Sequence, residues 1–366
     1  MAVTVAFVAE TAPGERRAAL SPETCKKLLA LQARVLIERG AGVPAGFTDE
    51  SYAGAELSSD RADIIAAADV LACVQPPPTA ELAGLKPGAL LVGLLAPHAD
   101  SARVPALQAA RATAFSLEKL PRTTRAQAMD VLSSQAGMAG YKAMLIAAQL
   151  APRFFPMLTT AAGTIRPSKV LVVGAGVAVL QAIATARRLG AQVEGFDVRP
   201  ETREQIESLG AKFLDLGVSA AGEGGYARQL TAEESAEQQR RLAEHLRTVD
   251  VVVTTAAIPG RAAPKIITSA MVANLKPGSV VVDLAAETGG NCEATRPGEN
   301  IDVGGVTIAG PLNLASMGAL HASEMYARNV FNFLALMIDK EGALKLDWDD
   351  ELIAKTCLTH DGEKRA

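Results

Sequence analysis

The sequence predicts two α/β domains, each built on a mainly parallel sheet that helices cover on both faces. Three observations lead to this fold class. Short apolar runs alternate with helical patterns along most of the chain. Turn signals such as Lys86-Pro87-Gly88 separate these runs. The length of 366 residues suits two domains of ordinary size, each able to bury its own core.

The first predicted domain begins with a strand over residues 3–8 and a helix over residues 21–31, with Ser21 as its N-cap and Pro22 in its first turn. Further buried strands are predicted at 35–38, 70–74, 90–94 and 113–116. The polar stretch 122–135 is predicted to leave this domain. A helix over 136–155 and a small-residue turn region over 159–167 are expected to follow it.

The second predicted domain repeats the alternation of strands and helices. Its strands are expected at 170–173, 192–196, 212–214, 249–254, 279–283 and 306–309, and its helices at 177–189, 201–209, 232–247 and 269–274. A final helix over 322–338 has apolar residues at helical spacing that can pack on the first domain, and the tail beyond Asp339 is expected at the surface. The expected domains are therefore 1–134 plus 313–366, and 135–312.

Composition limits the classes of function. The formal charge of -4 and the pI near 5.7 leave no basic surface for nucleic acid. The four cysteines are far apart and form no C-x-x-C pair, so we expect no metal site and a reducing, cytoplasmic location. The N-terminus does not resemble a signal peptide. No apolar stretch approaches the roughly 20 residues that span a bilayer, so we expect no direct membrane insertion.

One segment combines a buried strand, a glycine turn, an apolar helix and a second strand that ends in an acid. It reads KVLVVGAGVAVLQAIATARRLGAQVEGFDVR. Gly174 makes the tight turn, and Gly176 leaves room for a pyrophosphate at the N-terminus of the next helix. Asp197 follows about 20 residues later, where its carboxylate accepts hydrogen bonds from the adenosine ribose and repels a 2′-phosphate. The unit therefore predicts a site for NAD(H) in preference to NADP(H).

Two residues, Val179 and Arg199, depart from what this motif alone predicts. Val179 replaces the third glycine of the fingerprint, which normally lets helix and strand approach closely, so the helix is expected to lie slightly further out. Arg199 lies near Asp197 and is able to pair with a 2′-phosphate. An ordinary strand-to-helix turn is the alternative explanation of the glycines, and the spaced acid favours the nucleotide site.

Several segments together resemble one family. RTTRAQAMDVLSSQ, AGTIRPSKVLVVGAGVA, QAIATARRLGA, DLAAETGGNC and RNVFNFL resemble the NAD(H)-binding component (domain I) of proton-translocating nicotinamide nucleotide transhydrogenase, and the resemblance runs from PGERRAALSP to TCLTHDG. It implies a Si/Re-type enzyme that binds NAD(H) in a cleft between the two domains and exchanges hydride with NADP(H) on a partner component. A membrane subunit would couple this reaction to proton translocation. The resemblance also implies a homodimer, peripheral to the inner membrane through separate partner subunits.

The resemblance further implies roles for the polar segment. Gln127 and Ser133 would pair with the carboxamide or the ribose, Asp130 would accept from the amide nitrogen, and Arg122 would supply charge or orient a neighbour. By spacing alone, helix capping by Thr124 or Asp130 explains this loop equally well.

A second segment, GEGGYARQL at 222–230, resembles the family's mobile loop that closes on bound nucleotide. Its glycines provide flexibility, and Tyr226 offers a ring for packing. Arg228 and Leu230 depart from the family's pattern, and a surface loop without a role is the alternative. The residues expected to contact the nucleotide are Thr123, Thr124, Ala128, Met129, Gly174, Gly176, Val177, Asp197, Val198, Arg199, Gly225, Tyr226, Ala256 and Ala257.

Alanine dehydrogenase shares the predicted architecture and is the main alternative. Arg17 matches the substrate-carboxylate clamp of that family, but Gln75 and Ala96 stand where a lysine and a histidine are expected, and His98 is two residues away. Glu287 replaces an aspartate. Loss of the lysine and the histidine removes the acid–base groups of amino-acid oxidation, whereas hydride transfer between two nicotinamides needs no proton transfer at the reacting carbon. A nucleotide-binding regulator without chemistry is a third possibility.

Overall fold

The computed structural model describes residues 2–97, 99–174, 176–220, 228, 230–256 and 262–365. The chain divides into two compact units. Unit 1 consists of Met1–Gln135 and Ala315–Ala366, and unit 2 of Ala136–Leu314. Both units are α/β structures, as the alternation of apolar runs predicts.

The strands are β1 (Thr4–Phe7), β2 (Arg34–Glu38), β3 (Glu56–Ser58), β4 (Val70–Ala72), β5 (Leu90–Gly93), β6 (Thr113–Ser116), β7 (Leu158–Thr160), β8 (Gly163–Ile165), β9 (Lys169–Val173), β10 (Gln192–Phe196), β11 (Lys212–Phe213), β12 (Val251–Thr254), β13 (Val280–Asp283), β14 (Asn300–Val303), β15 (Val306–Ala309), β16 (Cys357–His360) and β17 (Glu363–Lys364).

The helices are α1 (Pro22–Ala30), α2 (Arg61–Ala67), α3 (Thr79–Leu82), α4 (Arg103–Ala109), α5 (Val131–Leu150), α6 (Val177–Arg188), α7 (Thr202–Ser208), α8 (Ala232–Leu246), α9 (Ser269–Ala273), α10 (Ala319–Leu334) and α11 (Glu351–Thr356). Within the described ranges, none of these helices is both long enough and apolar enough to cross a bilayer.

The sheet of unit 1 has the strand order β17-β16-β6-β5-β4-β1-β2-β3. The strands from β3 to β6 are parallel, and β16 and β17 extend the sheet in antiparallel fashion. Successive residues of β1 enter different cores: Val5 and Phe7 belong to one cluster, and Ala6 to another. Because neighbouring residues of a strand point to opposite faces, this sheet is covered on both sides. Helix α10 supplies Tyr326 and Phe333 to the first cluster.

The sheet of unit 2 has the order β11-β10-β9-β12-β13-β15-β14, and all of it is parallel except the edge strand β14. Here too the residues of β9 alternate between two cores, with Val172 in one and Leu171 in the other. From β9 the chain continues to β10 and β11 on one side of the sheet, and then returns to β12 and β13 on the other side. In sheets of this kind a ligand binds at such a switch point, beyond the carboxyl ends of the strands.

Helix signals in the sequence correspond to real caps. The hydroxyl of Ser21 accepts from the amide of Thr24, and the hydroxyl of Thr24 accepts from the Ser21 amide, which completes a capping box with Pro22 in the first turn. Thr231 and Glu234 form a second capping box at α8. These reciprocal bonds satisfy amides that a helix N-terminus otherwise leaves without partners.

The prediction for residues 122–167 was partly wrong. Helix α5 begins at Val131 rather than at residue 136, so Ser133 lies in its first turn, and it ends at Leu150 rather than at residue 155. The region 159–167 contains the hairpin β7–β8 rather than a turn region alone. Polar serines hid the start of the helix, and the strands of the hairpin are too short and too exposed to show an apolar alternation.

The prediction that the tail beyond Asp339 lies at the surface was wrong for residues 352–359, although most of the residues on either side of them are exposed or half-buried. Strand β16 lies between β6 and β17 in the extended sheet, and its Cys357 is fully buried. Helix α11 packs Leu352 and Ile353 into the core of unit 1. Charged residues on both sides of these short apolar groups give the tail a polar average composition, which conceals them.

Candidate nucleotide site in unit 2 and the polar segment of unit 1

The turn after β9 requires glycine at its first position. Gly174 has φ of +111°, a conformation that side chains rarely adopt, and a β-carbon there would lie 2.8 Å from the Thr255 hydroxyl oxygen. Thr255 follows β12, the strand beside β9 at the switch point. The glycine therefore lets the two strand ends approach each other at the place where a ligand is expected.

The second glycine leaves the start of α6 open. Gly176 is the N-cap of the helix, makes no side-chain cap, and has no described atom within 4 Å of the position of a β-carbon. Val177, the first helical residue, is exposed. Amides of a first turn without a side-chain cap are donors for an anion, and the helix dipole favours negative charge there. Gly174 and Gly176 thus form the turn between β9 and α6, and Val177 opens the helix. Their contact with a pyrophosphate stays a prediction.

Helix α5, rather than the strand before α6, makes the close approach to the first turn of α6. Val179, at the position of the missing third glycine, is fully buried in a core of unit 2. On α5, Gly140 lies against the first turn of α6, and a β-carbon there would be 2.7 Å from the carbonyl carbon of Ala178. The expectation that Val179 moves α6 outward stays a prediction. The glycine that permits tight packing at this helix was not identified from the sequence.

The acid at the end of β10 is paired. One carboxylate oxygen of Asp197 accepts from the backbone amide of Arg199 at 2.8 Å and from its Nε at 2.9 Å, and the other accepts from its Nη2 at 3.0 Å. These hydrogen bonds raise the pKa of Arg199. Val198 is half-buried, and its carbonyl accepts from the amide of Ala220 at 2.7 Å. Asp197 and Arg199 therefore form one charge pair with oxygen acceptors and guanidinium donors side by side.

The loop after β12 is tied to the loop after β13 by an asparagine. The side-chain nitrogen of Asn291 donates to the carbonyl oxygens of Ala256 at 2.7 Å and Pro264 at 2.9 Å. Asn291 is fully buried, and its Oδ1, like the hydroxyl of Thr254, has no hydrogen-bond partner in the structure as described. Its segment, GGNC, is one of those that carry the family resemblance, and no role was predicted for it.

These features fit a dinucleotide. Four features lie at the carboxyl edge of the sheet of unit 2. They are the glycine turn, the uncapped N-terminus of α6, the carboxylate at the end of β10, and two buried oxygen atoms without partners in the structure as described, on Thr254 and Asn291. The expected contact residues Gly225, Tyr226 and Ala257 lie outside the described residues, as do the three glycines of the proposed mobile loop and His98.

In unit 1 the polar segment is a short helix rather than an open loop. Thr124–Met129 forms a 3-10 helix that buries Ala126 and Met129 in the core. Arg122, Thr124, Gln127 and Ala128 are exposed. Thr123 is half-buried, and its hydroxyl has no partner in the structure as described. The side chain of Gln127 is therefore exposed, while Met129 faces inward.

Asp130 caps α5. Its carboxylate accepts from the amide of Ser133 at 2.9 Å and from the Ser133 hydroxyl at 2.5 Å. This is the capping role that spacing alone left open. The structure thus brings Asp130 and Ser133 into contact with each other, and Gln127 stands one turn away from them on the exposed side of the segment.

The residues that would clamp an amino-acid substrate are engaged with one another. The guanidinium of Arg17 contacts Glu15 at 2.6 Å and donates to Gln135 at 2.8 Å. Gln75, at the place of the expected lysine, donates to Glu15 at 3.2 Å. Ala96 has a positive φ of 41° and donates its amide to Glu118 at 2.5 Å. Among the described residues of unit 1 these positions therefore supply no lysine or histidine for proton transfer.

Comparison with known proteins agrees with this description. The model of the alanine dehydrogenase/PNT N-terminal domain matches residues 6–139, and that of the C-terminal domain matches residues 143–366. A Rhodospirillum rubrum protein, named as the first part of NAD(P) transhydrogenase subunit alpha, is 45% identical over 98% of this chain and 96% of its own length. The solved structure of transhydrogenase from Sinorhizobium meliloti has a TM-score of 0.89 and 45% identity, covering 98% of this chain and 99% of that one.

Alanine dehydrogenase is a more distant relative. That of Halomonas elongata is 28% identical, over 95% of this chain and 91% of its own length. The chain therefore belongs to the alanine dehydrogenase/PNT family, and within it to the relatives of the transhydrogenase alpha subunits.

Proposed function

We propose that this chain is the NAD(H)-binding subunit of a proton-translocating transhydrogenase, and that it passes hydride directly between NAD(H) and NADP(H) on a partner component. The observation that supports it best is the open N-terminus of α6 behind Gly174 and Gly176, together with the Asp197 carboxylate at the next strand end. The names of the relatives at 45% identity support the transhydrogenase role.

The proposed reaction transfers one hydride from C4 of a dihydronicotinamide to C4 of the second nicotinamide, with no proton exchanged at either carbon. The chain then has only to position one ring and exclude water, and positioning alone can supply much of the rate. Unit 2 would bind the adenosine and pyrophosphate. Gln127 would bind the carboxamide, with Arg122, Asp130 and Ser133 orienting it.

The proposal includes partners. A subunit that binds NADP(H) would present the second nicotinamide, and a membrane subunit would couple the reaction to proton movement. This chain would then be peripheral to the inner membrane, on the cytoplasmic side. The alternative is oxidation of alanine. Gln75 and Ala96 stand where that reaction needs a lysine and a histidine, and alanine dehydrogenase is less similar to this chain than the transhydrogenase subunits are.

The decisive experiment is reconstitution. The chain is mixed with an NADP(H)-binding component of transhydrogenase, and hydride transfer from NADPH to an NAD analogue is followed by stopped-flow absorbance. Transfer in a single turnover supports the proposal. A chain that binds NADH but transfers nothing would be a regulator, and alanine-dependent reduction of NAD would favour the dehydrogenase.

Substitution of Gln127 with asparagine is expected to slow single-turnover hydride transfer by about 100-fold, because the shortened side chain no longer holds the carboxamide in place. The NADH dissociation constant, measured by calorimetry, should change less than about threefold because adenosine and pyrophosphate contacts remain. The matched control is Gln205→Asn on an exposed position of α7. An unchanged transfer rate in Gln127→Asn would remove Gln127 from the reaction.

The unaltered chain is expected to bind NADH at least about ten times more tightly than NADPH. Asp197→Asn should reduce that ratio by about tenfold or more, since the amide no longer repels a 2′-phosphate and releases the Arg199 guanidinium to pair with it. Asp215→Asn, which removes an exposed carboxylate paired with Arg203, is the control. Equal affinities for both nucleotides in the unaltered chain would contradict this assignment.

We also propose a homodimer whose interface includes the hairpin β7–β8. All its strand residues are exposed, and the neighbouring Phe154 and Met157 are exposed by 53% and 65%. A two-stranded hairpin is marginal in water without packing on one face, and a second copy would supply that packing.

The dimer is tested by Met157→Glu, which should shift the chain from dimer to monomer in sedimentation velocity. Val43→Glu, a similar change at an exposed apolar residue of unit 1, should leave the dimer intact. A monomeric wild-type chain at micromolar concentration would contradict the proposal.

A further inference from the structure

Two asparagines of α10 contact a single carbonyl group of the polar segment. The side-chain nitrogens of Asn329 and Asn332 each donate to the carbonyl oxygen of Ala128 at 2.9 Å. The two residues are three positions apart on the helix, so both side chains face the same side. Ala128 directly follows Gln127 in the chain. We call Asn329 and Asn332 the asparagine clamp.

Asn329 makes a second contact that extends the clamp into α5. Its Oδ1 accepts from the hydroxyl of Ser134 at 2.7 Å, and the side chain is largely buried. Because Asn329 donates on one side and accepts on the other, its amide has one orientation in this network. It therefore connects the residue after Gln127 with the first turn of the helix that Asp130 caps.

The clamp stands on a rigid support. Tyr326, Val330 and Phe333 of α10 are fully buried in the core of unit 1. On the other side, Ala126 and Met129 anchor the segment in that same core. Backbone atoms on both sides of Gln127 are thus fixed, while its side chain is exposed. One donor is enough to satisfy the Ala128 carbonyl oxygen, so the second protein donor adds to the orientation of this peptide group.

We propose that the asparagine clamp is a positioning device for hydride transfer, which sets the backbone at Ala128 and so aims Gln127. The inference rests on the proposed function. The clamp residues touch no substrate themselves and act only through the segment. Their loss is expected to slow the chemical step while leaving nucleotide affinity almost unchanged, because a small displacement of a positioning group costs rate rather than binding.

The test uses the full chain with the NADP(H)-binding component, and the variants Asn332→Asp and Asn329→Asp. Each keeps the shape of the side chain but places a carboxylate oxygen against the Ala128 carbonyl. Single-turnover transfer should fall by about 10- to 100-fold, with the NADH dissociation constant changed less than about threefold. Hydrogen exchange at the amides of residues 124–130 should rise. Asn332 is only half-buried, so its variant is expected to fold even where Asn329→Asp does not.

Two further variants make the result specific. Arg328→Gln, on the same helix as the clamp, removes an exposed ion pair with Glu23 of α1 and should leave the rate unchanged. In a Gln127→Asn background, Asn332→Asp should add little, because both changes act on the same contact.

Wild-type rates in a folded Asn332→Asp chain, or full additivity with Gln127→Asn, would overturn the clamp while leaving the proposed function standing. A proportional loss of NADH affinity would assign the asparagines to binding instead. Failure of the unaltered chain to transfer hydride would overturn the proposed function and the clamp together.

Discussion

Replacement of Gly140 with alanine is expected to destabilise the chain by about 1 to 3 kcal/mol and to weaken NADH binding by about tenfold. Gly140 lies in α5 where that helix meets the first turn of α6, and a β-carbon there would overlap the Ala178 carbonyl group. This neighbour is backbone and cannot rotate away. The two helices must therefore separate, which opens a packed core and displaces the amides proposed to bind the pyrophosphate.

Gly137 provides a matched control on the same helix. A β-carbon at Gly137 would lie 3.9 Å from the Val177 side chain, which is ordinary contact. Gly137→Ala should therefore stabilise the chain, by up to about 1 kcal/mol, because alanine has the higher helix propensity. Urea denaturation measures both stabilities, and calorimetric titration measures both NADH affinities. Equal effects of the two substitutions would show that α5 and α6 do not pack as described.

Local patterns predicted the parallel core of both sheets because its strands are short apolar runs bounded by turns. The run at β9 and the run at β12 are buried on both faces, and such strands show no polar alternation. Strand β3 was missed because it is an edge strand with little apolar character. Strand β14 could have been found, since Gly304-Gly305 between two alternating runs is a hairpin signal.

Some residues of the candidate site were also predicted from local sequence patterns, and others were missed. Gly174, Gly176 and Asp197 were identified because their spacing along the chain reflects a local strand–turn–helix geometry. Asn291 and Asn329 were not identified, because each acts on a carbonyl group far away in the sequence. A lone asparagine has no periodic signature, and only the fold shows which backbone group it meets. A residue that contacts a backbone group distant in sequence is therefore harder to predict than a local strand–turn–helix motif.

A pair of alanine substitutions separates folding from binding at the glycine turn. Gly174→Ala is expected to cost stability and NADH affinity together. Its φ of +111° is unfavourable for alanine, by roughly 1 to 3 kcal/mol, and its methyl group would press on the Thr255 hydroxyl at 2.8 Å. Since Thr255 follows the neighbouring strand, the strain acts on both strand ends at the switch point.

Gly176→Ala is expected to spare the fold and impair binding. Gly176 has φ of −99°, which alanine adopts readily, and no described atom lies within 4 Å of the added carbon. The loss in unfolding free energy should stay below about 1 kcal/mol, the usual difference between N-cap residues. The NADH dissociation constant should nevertheless rise by about tenfold or more, because the methyl group occupies the space through which a pyrophosphate reaches the α6 amides. If Gly176→Ala binds NADH as tightly as the unaltered chain, the pyrophosphate does not lie at this helix. The same glycine would then be explained by the turn alone.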